Sequence, residues 1–414
     1  MILNGPVTGG ARPARAPCPS ASRPPIDERA IMMKRTLLVL LPLAAAACAD
    51  TQGPVATAAT APVLSAASGG ISGAYIVVVR DGADPRSVAA VAGASPRHVY
   101  GRVLNGFAAE LSVGQLNALR HNPSVEYIEQ DGVASITTTQ TGATWGLDRT
   151  DQGALPLSGT YTYATTAANV HAYVIDSGVR AGHTEFGGRA SQVFNSAGGK
   201  NDDCNGHGTH VAGTVGGTLY GIAKEVSIYG IKVLACSGSG SWSGVIAGMD
   251  WVAANHQKPA VANMSLSGGS NASVNAAAVN LMSAGVHLSV AASNDGADAC
   301  NYSPANAPGV MTVAASNSSD GRPSWSNFGT CVDLYAPGVG ITSAWHRNDN
   351  ATNTISGTSM ASPHVAGVAA LYKATFGDAS QATIDAWLTS TATVNAIAGN
   401  PAGTPNLLLF KGAL

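Results

Sequence analysis

Charge is scarce in this sequence. Only 11% of the 414 residues are Asp, Glu, Lys or Arg, and the formal net charge is -2, so nothing in the balance suggests a nucleic-acid partner. Carboxylates are nowhere densely clustered, so no catalytic metal is implied. The apolar run from Leu37 to Ala47 is too short to span a membrane as a helix. What the chain has instead is glycine, 49 of them, and enough apolar residues (45%) for a large core. The length allows two or more domains.

The stretch from Met33 to Ala49 has the form of a secretory signal, with a short basic start, an apolar middle and small residues at its end. Residues 1–31 are rich in Arg, Pro and Ala without a hydrophobic period, and read as an untranslated or unstructured extension before a start at Met32 or Met33. Cys48 resembles a lipoprotein attachment site, but Ala45 stands where such sites usually carry leucine. Ordinary cleavage near Ala47 or Ala49 is the alternative, so membrane attachment is expected only if Cys48 is lipidated. Residues 50–72 read as a linker of small residues and proline.

Residues 73–135 read as a small α+β unit. Strands are expected at Ala74–Arg80, Arg102–Leu111 and Val125–Glu129, and helices at Asp84–Val91 and Ser112–Arg120, the latter opened by a serine cap. Asp131–Thr144 has no apolar period and reads as an exposed junction. From residue 140 to 414, short apolar strands alternate with helices: His171–Asp176, Ser227–Leu234, Val261–Leu266, Val286–Ala292 and Val310–Ala314, with a helix at Val245–Asn255. That alternation predicts a three-layer α/β/α domain with a mostly parallel sheet, whose site should lie beyond the carboxyl ends of its strands.

Three residues fall where that rule places a site. Asp176 ends a strand and precedes Ser177-Gly178. His207 lies in the glycine loop Asn205-Gly-His-Gly-Thr-His210. Ser359 stands at the start of an apolar, small-residue helix that Gly377 should stop, with Pro363 read into its first turn. Each alone is more often structural than chemical. Together they could supply nucleophile, base and orienter.

Asp176-Ser-Gly, His207-Gly-Thr-His and Gly357-Thr-Ser-Met-Ala-Ser-Pro363 resemble the three signature blocks of the subtilisin-like serine proteases, in the same order. Trp145–Arg149, Val233–Gly240, Ser243–Trp251 and Asn301–Pro304 are similar to the proteinase K-like branch, particularly its aqualysin-type secreted bacterial members. The resemblance implies a secreted serine endopeptidase of broad specificity that works through an acyl-enzyme. Ser359 would be the nucleophile, His207 the general base and then acid, and Asp176 the orienter. His210 and His364 would be non-catalytic helix residues. Asn294, in Ala291-Ala-Ser-Asn294, would be the oxyanion donor beside the amide of Ser359. Residues 73–135 would be the inhibitory propeptide and intramolecular chaperone, removed by the enzyme itself. A monomer acting on polypeptides is expected.

Substrate backbone would pair with Ser237, Gly238 and Ser239 on one side and Ser265, Leu266 and Ser267 on the other. Ser267 and Ser293 stand where the family usually has glycine, which points to a shallower, more polar pocket that favours small or medium side chains before the cleaved bond. The resemblance pairs Cys204 with Cys236 and Cys300 with Cys331, each bridge stabilising by roughly 3–4 kcal/mol on loop entropy. Cys18 and Cys48 are left over. No cofactor is expected for catalysis, but structural calcium is. Asp333 with the carbonyls of Pro308 and Val310 would make one site. Asp148, Asp151 and Gln152 would make a weaker second, because Ser158 stands where related enzymes often have Asp. The rival readings are a non-catalytic protein that keeps the fold and a different acyl-transfer enzyme. The full set Asp176, His207, Asn294 and Ser359 argues against the first, and the strand-like substrate edges against the second.

Overall fold

The computed structural model describes residues 60–65, 70–132 and 137–414. The expectations for the extension, the signal, Cys18 and Cys48 lie outside these residues. Among the described residues, no helix is long and apolar enough to cross a membrane.

Residues 70–132 form a small α+β fold. Its sheet runs in the order Val63–Leu64, Val125–Gly132, Gly70–Val79, Gly106–Glu110, His98–Tyr100. Val77, Val79, Phe107, Ala109 and Ile128 pack with Val88 and Leu119 of the two helices. Asp84 caps Pro85–Val91, and Ser112 forms a reciprocal capping box with Gln115 at Val113–Arg120, as serine three residues before glutamine should. Three strand readings change. The segment read as linker contributes Val63–Leu64, paired parallel to Ile128–Glu129. The strand expected from Arg102 begins only at Gly106, because Asn105 turns the chain by donating to the carbonyls of Arg80 and Ala83, both at 3.1 Å. Within the expected junction, Thr138–Thr141 pairs antiparallel with Thr160–Tyr163. The run Thr-Thr-Gln-Thr carries no apolar period, yet its backbone completes a ladder.

The larger fold is built on a nine-stranded sheet. Its order is Thr393–Val394, Leu407–Leu408, Leu334–Pro337, Met311–Ser316, Val286–Ala291, Ala260–Met264, His171–Asp176, Ser227–Lys232, Ala190–Asn195. All neighbours are parallel except the first pair. Along His171–Asp176, Ala172 and Val174 join the core beneath helices His207–Gly216 and Thr358–Phe376. Tyr173 and Ile175 join the opposite core beneath Trp242–Asn255 and Ala272–Ser283. Period-two alternation with both faces buried is the physical content of the three-layer arrangement. The strand order reverses between His171–Asp176 and Ala260–Met264, so the chain diverges there and leaves a crevice beyond the strand ends.

Candidate active site

Asp176 is fully buried at the end of its strand. Its Oδ1 accepts the Ser177 amide at 2.6 Å, and its two oxygens lie 2.8 and 2.9 Å from Nδ1 of His207. Burial lowers the pKa of His207. The charge of Asp176, its hydrogen bond and the charge of Asp203 outweigh that, so the imidazole titrates above its ordinary value.

His207 opens the helix His207–Gly216, whose N-cap Gly206 contributes no side-chain bond. Asp203 does that work from four residues upstream. It is 3% exposed and takes Ser177 Oγ (3.0 Å), the amides of Asn205 (3.0 Å), Gly206 (2.9 Å) and Thr209 (2.9 Å), and Thr209 Oγ1 (2.6 Å). One carboxylate thus ties the histidine loop to the residue after Asp176 and takes two of the orphan donors of the helix start, while Asn205 Oδ1 accepts the His207 amide (3.2 Å) and Ser177 Oγ the Gly208 amide (2.9 Å). The sequence reading missed it. An aspartate just before a helix start was the available signal. Lys232, which pairs across from Asp176, donates to the carbonyls of Ser177 (2.6 Å) and Leu234 (2.9 Å) and fixes the same turn from the other side. Gly208 is required here, because a Cβ on it would meet the Gly178 carbonyl oxygen at 2.1 Å.

Ser359 is the second residue of Thr358–Phe376 and partly exposed. Its Oγ donates to the Ser265 carbonyl at 3.2 Å, and no Ser359–His207 hydrogen bond is made. Catalytic hydrogen bonds are often loose without substrate. Pro363 lies in the second turn, not the first as expected. Having no N–H, it leaves the Ser359 carbonyl free of a helical partner, and Ser265 Oγ donates to that carbonyl at 2.7 Å. The proline therefore locks the serine helix to the 265–267 segment. Gly377 ends the helix as expected.

A cleft of 470 Å³ opens beside His207. Gly238 and Ser239 line one side and Ser265, Leu266 and Ser267 the other. Ser237 is exposed and does not line it, and Ser293 is buried, bonded to Ser267. Asn294 accepts from Thr358 N (2.8 Å) and Thr358 Oγ1 (3.0 Å) through Oδ1, which fixes the amide and leaves Nδ2 as a donor beside the serine. A Cβ on Gly357 would lie 3.6 Å from both Asn294 Nδ2 and Ser359 N. The two donors therefore bracket one point, where an oxyanion can sit. Gly357 has an extended backbone (φ 162°) that alanine can adopt, so the methyl of Gly357→Ala would occupy that point. The expected result is a fall in kcat of about 100- to 1000-fold with little change in melting temperature, the loss that removing one oxyanion donor causes. Steady-state kinetics and calorimetry on the variant check it. A kcat within threefold of wild type would contradict the arrangement.

Burial pushes His210 and His364 down to about 4, and both bond backbone carbonyls, His210 to Ile341 and His364 to Met360. They stay neutral and are packing residues. The disulfides Cys204–Cys236 and Cys300–Cys331 are present. The first joins the residue after Asp203 to the residue before Ser237, so it clamps the histidine loop to the cleft rim.

The two calcium candidates differ. Burial pushes Asp333 up to about 6, although Thr312 N donates to its Oδ2 at 2.7 Å. Its other oxygen, Oδ1, takes no hydrogen bond among the described residues, which leaves that side of the carboxylate able to hold a cation. Asp148 instead already accepts three donors, Ser158 N (3.1 Å) and Ser158 Oγ (2.9 Å) on Oδ1 and Gly159 N (2.6 Å) on Oδ2. Asp151 accepts Thr162 N at 2.6 Å, and Gln152 bonds Ser158, Ala154 and Pro156. This second set holds its loop by its own hydrogen bonds, with the Ser158 hydroxyl donating to a carboxylate. Among the described residues, no three His, Cys, Asp or Glu side chains gather as a metal cluster.

Comparison with known proteins places the chain in a family. The model of the subtilase family matches residues 169–408, and that of peptidase inhibitor I9 matches residues 74–137. An extracellular serine proteinase of Thermus sp. (strain Rt41A) is 46% identical over 407 residues, 92% of this chain and 99% of that protein. The alkaline serine exoprotease A of Vibrio alginolyticus is 49% identical over 321 residues, 76% of this chain and 60% of that protein. A solved cold adapted subtilisin-like serine proteinase is 50% identical with a TM-score of 0.64, covering 66% of this chain and 99% of its own. The chain belongs to the subtilase family and is a serine protease with an I9-type inhibitor segment.

Proposed function

We propose that Asp176, His207 and Ser359 are the catalytic triad of a secreted endopeptidase made as a self-processing precursor. The observation that supports it best is the convergence, at the strand ends, of a buried Asp176–His207 pair and a helix-start serine flanked by two free donors. Ser359 turns its hydroxyl from the Ser265 carbonyl to His207 Nε2. Its oxygen attacks the scissile carbonyl carbon while His207 takes the proton. Asn294 Nδ2 and Ser359 N receive the oxyanion. His207 then donates its proton to the leaving amine, and the acyl-enzyme remains. Water, deprotonated by the same imidazole, attacks the acyl carbon and frees Ser359. Asp176 holds the Nδ1 proton throughout. Substrate lies in the cleft as an extended strand between Gly238–Ser239 and Ser265–Leu266, read mainly through its backbone, which suits broad specificity.

Residues 73–135 act as the propeptide, and the protease leaves the cell through the signal at Met33–Ala49. Labelling the purified enzyme with a fluorophosphonate and mapping the adduct by peptide mass tests the assignment. One equivalent on Ser359, lost when His207 is replaced by alanine, is the expected result. Turnover with no label on Ser359 would refute it.

Calcium at Asp333 with the carbonyls of Pro308 and Val310 would brace the loop after Val286–Ala291 and contribute nothing to the chemistry. A chelator is expected to lower the melting temperature by about 5–10 °C, the effect of losing an ion held near 100-fold above its Kd. Asp333→Ala should abolish most of that difference. Identical calorimetric traces with calcium and with chelator would remove the site.

A further inference from the structure

The residue before the cleaved bond has its carbonyl at the point between Asn294 Nδ2 and Ser359 N. Its side chain must then enter between the two segments that flank that point, Ser265–Ser267 and Ala292–Ser293. These segments are joined. Ser267 Oγ lies 2.9 Å from Ser293 Oγ, and Ser293 Oγ lies 2.8 Å from Oδ2 of Asp295. The direction of the bonds follows from the carboxylate. An ionised carboxylate only accepts, so Ser293 spends its single hydrogen on Asp295 and must accept from Ser267. The chain Ser267→Ser293→Asp295 is therefore polarised and complete, with no donor left over.

The middle member is held against its own backbone preference. Ser293 is 5% exposed and sits at φ 83°, in the left-handed region that a residue with a Cβ rarely adopts. Strain of this kind persists where surrounding interactions over-determine it, and it clusters at sites that bind or react. Here the over-determination is the Asp295 bond, the Ser267 bond and the Asn327 amide on the Ser293 carbonyl (3.1 Å). Asp295 is itself fixed, its amide donating to Asn327 Oδ1 at 3.0 Å.

We infer that Ser267, Ser293 and Asp295 form a hydrogen-bonded latch across the pocket for the residue before the cleaved bond, which restricts the enzyme to small side chains there. The inference rests on the catalytic reading above and adds Asp295 as a specificity-determining residue that touches no substrate. An aromatic side chain must part Ser267 from Ser293 and leave the buried Ser293 oxygen without its donor. A methyl or hydroxymethyl group stops short of the bridge. A small hydroxyl-bearing side chain can also donate to the lone pairs of Ser267.

The test is the ratio of kcat/KM for succinyl-Ala-Ala-Pro-X-p-nitroanilides with X as Ala, Ser or Phe. Wild type should favour Ala and Ser over Phe by tenfold or more. Ser293→Gly and Ser267→Gly should each shift the Phe/Ala ratio toward Phe by fivefold or more, and Asp295→Ala should shift it in the same direction. Glycine relieves the left-handed strain but removes both bonds of Ser293, so the melting temperature of each variant is measured beside its ratio, and a ratio that shifts while melting stays within about 4 °C of wild type is not the result of a damaged fold. A wild type that cleaves Phe as well as Ala, or a Ser293→Gly ratio within fivefold of wild type, overturns the latch while leaving the protease assignment standing. Failure of the processed wild type to hydrolyse any of the three anilides overturns the catalytic reading and the latch with it.

Discussion

With Ser359→Ala the chain is expected to retain its propeptide and to lose peptidase activity by on the order of 10⁶-fold, the loss seen when the nucleophile or base of such a triad is removed. The size of the effect follows from what the hydroxyl does. Without Oγ there is no atom to form the acyl bond, and the oxyanion donors and His207 have nothing to activate but water. The fold should be untouched. Ser359 Oγ makes a single hydrogen bond, to the Ser265 carbonyl. The bond that locks the helix in place runs from Ser265 Oγ to the Ser359 carbonyl, which alanine keeps. Alanine is also the best helix former. The measurement is the intact mass of protein expressed from Met33, beside the wild type. A wild type that sheds its prosegment and a variant that does not would tie the cut to Ser359, and the new N-terminus would fix the domain boundary. If both stay full length, the self-processing reading falls. If both are trimmed alike, another protease made the cut and the anilide assay carries the test.

Asp176→Asn is expected to lower kcat by about 10⁴-fold without unfolding the protein, because it reverses a tautomer. Oδ1 of Asp176 is held by the Ser177 amide at 2.6 Å, a donor that an asparagine oxygen must also satisfy. The amide NH₂ of the variant is then placed where Oδ2 now stands, 2.9 Å from His207 Nδ1, and donates to it in competition with an Nδ1 bond to the asparagine oxygen at the Oδ1 position, 2.8 Å away. With Nδ1 an acceptor, the proton of the neutral imidazole moves to Nε2, and Nε2 can no longer take the Ser359 proton. The pH profile gives a second readout. A neutral imidazole is needed, so activity falls as pH falls through the pKa of His207, which lies above the ordinary 6.5. The wild-type acid limb of kcat/KM should therefore lie above pH 6.5. In the variant the charge and hydrogen bond of Asp176 no longer support the imidazolium, and the residual activity should have its acid limb at lower pH. An unchanged limb, or a loss below tenfold, would mean that Asp176 neither orients nor charges His207.

Much of this was legible in the chain itself, and the legible parts are those set by near neighbours. Asp84, Ser112 with Gln115, and Gly377 mark helix ends because a cap acts over three or four residues. The strand His171–Asp176 and the helix Thr358–Phe376 announce themselves by apolar runs. Asp176, His207 and Ser359 were visible as a strand end, a glycine loop and a helix start, each a local signal. The misreadings share a cause. Arg102–Asn105 looks like strand, but its path is bent by bonds from Asn105 to Arg80 and Ala83, some twenty residues back. Thr138–Thr141 has no hydrophobic period, because its partner strand at Thr160–Tyr163 supplies what it needs through the backbone.

The sequence by itself determined the alternation of elements, hence the covered parallel sheet, and the residue types at its strand ends. Only the tertiary structure decided what those residues touch. Asp203 reaches Ser177 across 26 positions, Ser265 exchanges hydrogen bonds with Ser359 across 94, and Ser267 meets Ser293 across 26. No local pattern encodes such pairs. They arise because parallel strands place their carboxyl ends side by side, so loops far apart in the chain must satisfy one another's donors and acceptors in the same buried crevice.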